Sequence, residues 1–317
     1  MSTAWLFPGH GCQYVGMGGA MFTGSAPGQR WMQLAEMESG LPLRALVARG
    51  PLRALTRPQV IEPLLAAIGG AYADWLVSVG LRPSAVAGYS AGEVVAMYAA
   101  GVFDAETCVR IACLRGLALE SAALAPVCGS MVSMSGECFE VMVRLVEQAA
   151  LSEHVYVAAN NGPRHLAAAG TAAGLCLLGR LAHGAGVQVR AIDAAGPWHS
   201  PLVMNACNEL LQTLADMPMA APQLPLWLGS RAGPCAEPAM LRQALAESVV
   251  VTVQWRQVIE GLLLCGVQNF LECGPGRTLW GLLRQMALPA HVTHAYVERA
   301  GSQRLQLPKH LNTEPLQ

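Results

Sequence analysis

Short apolar runs that stop at glycine alternate along this chain with longer stretches of helical spacing. The run at residues 4–7 ends at Pro8-Gly9, and the run at 85–88 leads into Tyr89-Ser90-Ala91-Gly92. Each is too short for a helix and too continuously apolar for a half-exposed strand, so both read as buried parallel strands. Residues 63–79 carry helical spacing and stop before Gly80, while Asp104 is placed to cap a helix reaching about residue 123. Strand, turn and helix in that order predict an α/β fold.

Between 129 and 193 the pattern shortens. Strands are predicted at 130–133, 155–160, 165–169 and 187–192, with helices at 137–149 and 171–185. The order β-α-β-β-α-β is that of a ferredoxin-like unit. After it come a helix at 201–217, a strand at 226–228, a helix at 255–265 and a strand at 269–272. The expected division is therefore an α/β body made of 1–127 and 196–290, an inserted ferredoxin-like subdomain at 128–195, and a loose tail at 291–317. A site is expected in the cleft between the two bodies.

Composition narrows the function. A chain of 317 residues, 53% hydrophobic and 13% charged, can bury a full core, which excludes general disorder. The start lacks a basic segment followed by a long apolar run, and the apolar stretch at 64–81 is broken by Asp74, so a cytoplasmic protein is expected. Ten cysteines without a CxxC pair read as mostly buried thiols. Eight histidines form no HExxH, and His291 and His294 have no cysteine partner, so neither a metal site nor a cofactor is assigned. A net charge of -1 argues against general nucleic-acid affinity. Lys309 is the only lysine, which leaves guanidinium groups and backbone amides to grip an anionic substrate.

The chemistry centres on Gly88-Tyr89-Ser90-Ala91-Gly92-Glu93. A serine in GxSxG between a strand and a helix sits on a turn so tight that its hydroxyl projects, and the helix N-terminus supplies unpaired amides for an oxyanion. A plain packing turn is the competing reading. Serine needs a base within hydrogen-bond reach. His199, in a short turn after the strand at 187–192, is the leading candidate, and His10 is another.

Seven ordered segments resemble the malonyl-CoA:acyl carrier protein transacylase family, which includes the acyltransferase domains of polyketide synthases. They are FPGHGCQYVGMG, GYSAGE, LRG with Arg115, ANNGP followed by AAAG, PWHS, VQW ending at Trp255, and ECGPGRTLWGL. The resemblance implies an α/β-hydrolase-like large subdomain with an inserted ferredoxin-like small one. It also implies transfer of an acyl group from CoA to Ser90 and on to the phosphopantetheine thiol of an acyl carrier protein, with His199 as the base. A main-chain carbonyl near Val251 would orient His199, the amides of Ala91 and His10 would hold the oxyanion, and Asn161 would line the site. Arg115 would face the free carboxylate of a malonyl group, favouring it over acetyl by about ten- to a hundredfold. A monomer is expected, with Arg164, Arg190, Arg277 and Arg284 as candidates for a rim that meets the acidic carrier.

Departures from that family keep the substrate open. His10 and Glu62 stand where glutamines are usual, Tyr89 and Ala91 flank the serine, and the bulky Trp198 precedes His199. Glu62, if it lined the pocket, would repel malonate unless neutralised, so an ion pair or hydrogen bond between His10 and Glu62 is expected. Two other functions fit the same residues: a hydrolase that clears acyl groups from carrier proteins, and a docking module without catalysis.

Overall fold

The computed structural model describes residues 2–124 and 129–298. Two adjacent apolar strands, β1 (Thr3–Phe7) and β2 (Ala85–Gly88), pair in parallel from Ala4 opposite Ala85 to Phe7 opposite Gly88. That register brings the loop after β1 and the serine turn after β2 to the same edge of the sheet. β3 (Gly129–Ser135), β4 (Val155–Gly162), β5 (His165–Thr171) and β6 (Gln188–Ile192) form a separate antiparallel sheet in the order β4-β5-β3-β6. β7 (Leu226–Leu228), β8 (Gly233–Pro234), β9 (Asn269–Glu272) and β10 (Thr293–Tyr296) complete the larger sheet, ordered β10-β9-β1-β2-β7-β8. Only β8 runs antiparallel to its neighbour in that sheet.

β1 and β2 are buried along almost their whole length, as strands covered on both faces must be. One cover is the helix Pro58–Ser78, which begins five residues before the position expected from spacing. Pro58 opens the helix without loss, since the first turn's amides have no intrahelical partner, and Pro63 is tolerated inside it. This is the one helix among the described residues long and apolar enough to cross a membrane; most of its apolar window is buried in the protein. Asp74, which interrupts its apolar run, accepts hydrogen bonds from Trp31 Nε1 at 2.7 Å and Tyr98 Oη at 2.5 Å. The Asp104 cap forms as expected, accepting from the Thr107 amide at 2.8 Å.

The tail expected from residue 291 is corrected. Residues 293–296 are a strand paired in parallel with β9, and Glu298 is buried with its carboxylate accepting from the Gly18 amide at 2.6 Å. A four-residue edge strand of mixed polarity leaves too little periodicity to detect. Residues 299–317, the remainder of that expected tail, lie outside the described residues, as does Cys128. Helices Ala26–Ser39, Leu43–Arg49 and Pro238–Glu247 were also not predicted. Of the described cysteines, Cys12, Cys108, Cys207, Cys235 and Cys273 are buried, as read for most of them, while Cys113 is half-buried and Cys138, Cys176 and Cys265 are exposed.

A loop of the larger body is stitched to the small sheet beside the cleft. Asn160 N donates to Val253 O at 2.8 Å, Val253 N to Ala158 O at 2.9 Å, and Thr252 Oγ1 to Val157 O at 2.7 Å. These bonds hold the main chain at 251–253 between the two bodies.

Candidate active site

The serine turn is built by two close approaches. A methyl group on Gly92 would lie 2.0 Å from the Phe7 carbonyl oxygen, and one on Gly88 would lie 2.3 Å from the Glu93 Cα. Only hydrogen fits at either place, so the strand can reverse directly into the helix Gly92–Ala99. Ser90 itself takes φ 54°, in the left-handed region that costs a residue with a side chain about 1–3 kcal/mol. The helix is moored by Glu93, whose buried carboxylate accepts from Ser230 N at 2.7 Å and Ser230 Oγ at 2.8 Å.

Ser90 Oγ lies 2.8 Å from His199 Nε2, and His199 Nδ1 donates to the Val251 carbonyl at 3.1 Å. The carbonyl can only accept, so the Nδ1 contact selects the tautomer that leaves a lone pair on Nε2 for the serine proton. His199 is also at a left-handed φ, 61°, and its amide donates to Val249 O at 2.7 Å. Burial draws the imidazole down to about 4, against the Val251 bond and with help from the charge of Arg115. The ring is therefore neutral, and a base, at ordinary pH.

The amides expected at the oxyanion come from opposite sides of the serine. Ala91 follows it at the start of the helix, and His10 lies in the loop after β1, where a methyl on Gly9 would be 2.6 Å from the Tyr89 carbonyl. Neither amide is spent on a backbone hydrogen bond among the described residues. A cavity of about 220 Å³ opens here, with Ser90, His199, His10 and Trp198 in its wall. Met131 and Ile192 of the small sheet and Leu279 and Leu282 of the helix Thr278–Leu283 supply apolar surface.

Asn161 also lines the cavity, and its amide is fixed at both ends. Oδ1 accepts from Tyr89 Oη at 2.9 Å and Nδ2 donates to His165 Nδ1 at 3.1 Å. Burial holds His165 below its usual range, which suits an accepting nitrogen. His165 was missed in the sequence; the signal available was its place directly after the turn that follows the strand carrying Asn161.

Glu62 and Arg115 sit behind the cavity wall instead of in it. Both are almost completely buried, at 2% and 1% exposure. Two nitrogens of the Arg115 guanidinium are paired within the protein: Nε approaches Glu62 Oε2 at 3.4 Å, and Nη1 donates to Leu245 O at 2.9 Å and Ser248 Oγ at 2.6 Å. His10 Nε2 lies 3.0 Å from Glu62 Oε1, close enough for an ion pair though poorly angled for a hydrogen bond. Burial pushes the Glu62 carboxyl up, but Arg115 and His10 together outweigh it and hold the group ionised, below its usual range. The expected contact between His10 and Glu62 is thus present, with Arg115 as its third member.

Of the rim arginines, all four are exposed. Arg277 and Arg284 flank the Trp280 ring, their guanidinium carbons 5.8 and 4.9 Å from its centroid. Arg164 is bonded to the Gly136 carbonyl. Among the described residues no group of three or more His, Cys, Asp or Glu side chains is placed to hold a metal ion.

A strained serine, a neutral histidine held by a carbonyl, and free amides beside the hydroxyl are the equipment of a serine acyl-transfer centre. Comparison with known proteins agrees. The family model described as the acyl transferase domain matches residues 4–288, and the chain belongs to that family. The malonyl CoA-acyl carrier protein transacylase of Synechocystis is 28% identical over 287 residues, covering 90% of this chain and 94% of the relative. The Bacillus subtilis protein of the same name is 29% identical over 286 residues, covering 89% and 90%. Among solved structures, a malonyl-transacylase in complex with its type II PKS acyl-carrier protein superposes with a TM-score of 0.88 at 27% identity, covering 94% of this chain and 96% of that one. The malonyl-CoA:acyl carrier protein transacylase of Xanthomonas oryzae gives 0.87 at 29% identity, covering 94% and 95%.

Proposed function

We propose that this protein moves a short acidic acyl group, malonyl, from CoA to the phosphopantetheine thiol of an acyl carrier protein through an ester on Ser90. The observation that carries the reading is the relay from Ser90 Oγ to His199 Nε2 and from Nδ1 to the Val251 carbonyl. In the first half, Oγ attacks the thioester carbonyl while its proton passes to Nε2. The tetrahedral oxyanion rests on the amides of Ala91 and His10, then collapses; the C–S bond breaks and CoA leaves as thiol with the proton from Nε2. In the second half the carrier's thiol gives its proton to Nε2, its sulfur attacks the ester, and Ser90 recovers the proton as the C–O bond breaks. No cofactor is needed beyond the thioesters themselves.

A carbonyl in place of a third, acidic residue suits this cycle, because the histidine must give its proton back twice. The names of the relatives support malonyl as the acyl group and a carrier protein as acceptor. We read the larger body as α/β-hydrolase-like and the smaller as ferredoxin-like, supported by the β-α-β-β-α-β order and the strand order β4-β5-β3-β6. Asn161 would orient the acyl group, and Arg164, Arg190, Arg277 and Arg284 would face the acidic carrier. A cytoplasmic location follows from the substrates.

The test is intact-mass measurement after mixing with malonyl-CoA, acetyl-CoA and longer acyl-CoAs, with and without holo carrier protein. A mass increase of one malonyl group that is absent in Ser90→Ala and moves to the carrier is the expected result. Free acid released without a carrier would identify a hydrolase instead, and no adduct from any donor would leave only docking.

A further inference from the structure

β4 does not pair with β5 in an unbroken ladder. Asn160 stands opposite Leu166 and Gly162 opposite His165, so Asn161 is an extra residue between the two pairs. A bulge of this kind takes a side chain out of the regular alternation of its strand and re-aims it. Here that side chain lines the cavity beside Ser90, although Asn161 is only 5% exposed. A carboxamide can lie in either of two directions, with oxygen or nitrogen at the same place. What a substrate meets at Asn161 therefore depends on which direction is held.

Two residues, one on each side, fix that direction. Tyr89 belongs to the nucleophile turn, and its ring packs edge-on against Trp255 with centroids 5.5 Å apart. Burial holds its phenol well above the usual range, so Oη keeps its proton and donates it to Asn161 Oδ1 at 2.9 Å. His165 opens β5, and burial keeps its ring neutral at ordinary pH. Its Nδ1 accepts from Asn161 Nδ2 at 3.1 Å, which places the ring proton on Nε2. A reversed carboxamide would strand the Tyr89 proton without an acceptor among the described residues and force the His165 proton onto Nδ1. Nδ2 carries two N–H groups, and His165 takes one. The other has no acceptor among the described residues.

We propose that Tyr89 and His165 are positioning residues that hold the Asn161 carboxamide in one direction, leaving its second N–H for an oxygen of the acyl group bound at Ser90. Neither residue needs to touch the acyl group for this. The chain from Tyr89 through Asn161 to His165 also spans the cleft: Tyr89 lies between β2 and the helix Gly92–Ala99, while Asn161 and His165 lie on β4 and β5. Tyr89, a departure beside the serine, thereby acquires a use. Its hydroxyl carries the orientation of the nucleophile turn across to a side chain of the small sheet.

This rests on the acyl-transfer reading above, and the test separates the two. Ser90 acylation by malonyl-CoA is followed by intact mass over a range of donor concentrations, with the melting temperature of each variant recorded alongside. Tyr89→Phe deletes one hydroxyl and keeps the ring; it should lower the second-order acylation rate about two- to tenfold, as the loss of one neutral hydrogen bond does. The same change is then made in Asn161→Ala, where the side chain being positioned is gone, and there the further loss should vanish. A packing defect at Tyr89 would persist in both backgrounds. His165→Phe serves in the same comparison if Tyr89→Phe does not fold, and Asn161→Leu, of similar size, replaces Asn161→Ala if that variant does not. Asn161→Asp keeps an acceptor for Tyr89 but has no N–H, and should acylate no faster than Asn161→Ala. A Tyr89→Phe rate equal to wild type overturns the proposal, as does a loss that persists undiminished without Asn161, or an Asn161→Asp that acylates like wild type. Failure of the acyl-transfer reading itself looks different: no Ser90-dependent adduct forms in the wild type from any donor.

Discussion

The pH dependence of Ser90 acylation should begin to fall near 4 and not near 6.5. His199 accepts the serine proton only when neutral, so the acylation rate follows the neutral fraction of the ring. Burial lowers the group from its ordinary 6.5 to about 4. At pH 5.5 about 97% of the rings are then neutral, whereas an ordinary histidine would be only about 9% neutral, a difference of roughly tenfold in rate. The assay is rapid mixing of protein with malonyl-CoA by pH jump, acid quench and intact mass, so that each sample spends only seconds at low pH. Trp198→Ala admits water to the cavity and should move the limb upward, toward 6.5. A wild-type limb at 6.5 would refute the claim that burial sets the base.

The same shift has a consequence for folding. His199 binds a proton more weakly folded than unfolded, so its contribution is fully present above 6.5 and is lost as pH falls through about 4, at most about 3 kcal/mol. Glu93 and Glu272 slope the other way: burial raises each to about 7, so their contribution is greatest below the usual carboxylate range and is lost as pH rises through 7. The difference between wild type and His199→Gln isolates the histidine. Urea denaturation at several pH values should show the variant gaining on the wild type below 6.5.

Three further outcomes follow from packing and charge. Gly92→Ala places a methyl 2.0 Å from the Phe7 carbonyl and should cost about 4 kcal/mol or more, read as lost soluble yield or a collapsed melting temperature; a fully stable, acylating variant would contradict the elbow geometry. In a double-mutant cycle on urea stability, His10→Gln and Glu62→Gln should couple by about 0.5–3 kcal/mol, and simple additivity would show that their 3.0 Å approach carries no energy. Deleting 291–317 removes β10 with buried Val292, Ala295 and Val297, and should destabilise by about 3–5 kcal/mol; an unchanged melting temperature would mean that the strand adds nothing to the sheet.

What could be read from the sequence is what local chemistry dictates. Gly88 and Gly92 around Ser90 announce a turn because no other residue fits there, and the small sheet declares itself by strands and helices of even length. His199 was a weaker inference, since nothing within its own segment shows that Val251, fifty-two residues on, will supply the carbonyl. That carbonyl is placed by the bonds at 252–253 to β4, which are long-range and independent of side-chain identity at 251. The same limit explains β10: an edge strand is specified by its partner more than by its own pattern.

Arg115 shows the opposite limit, where the residue is legible in the sequence and its environment is not. An arginine on a helix beside a nucleophile reads as a ready receptor for a carboxylate, and in a pocket with neutral neighbours it would be one. Here Glu62 reaches it from the helix Pro58–Ser78, 53 positions earlier in the chain, and burial makes that pairing difficult to dissolve. Replacing Glu62 alone would leave the guanidinium without its carboxylate neighbour, and replacing His10 alone would leave the Glu62–Arg115 pair without its imidazole; each change therefore alters the surroundings of the other residue.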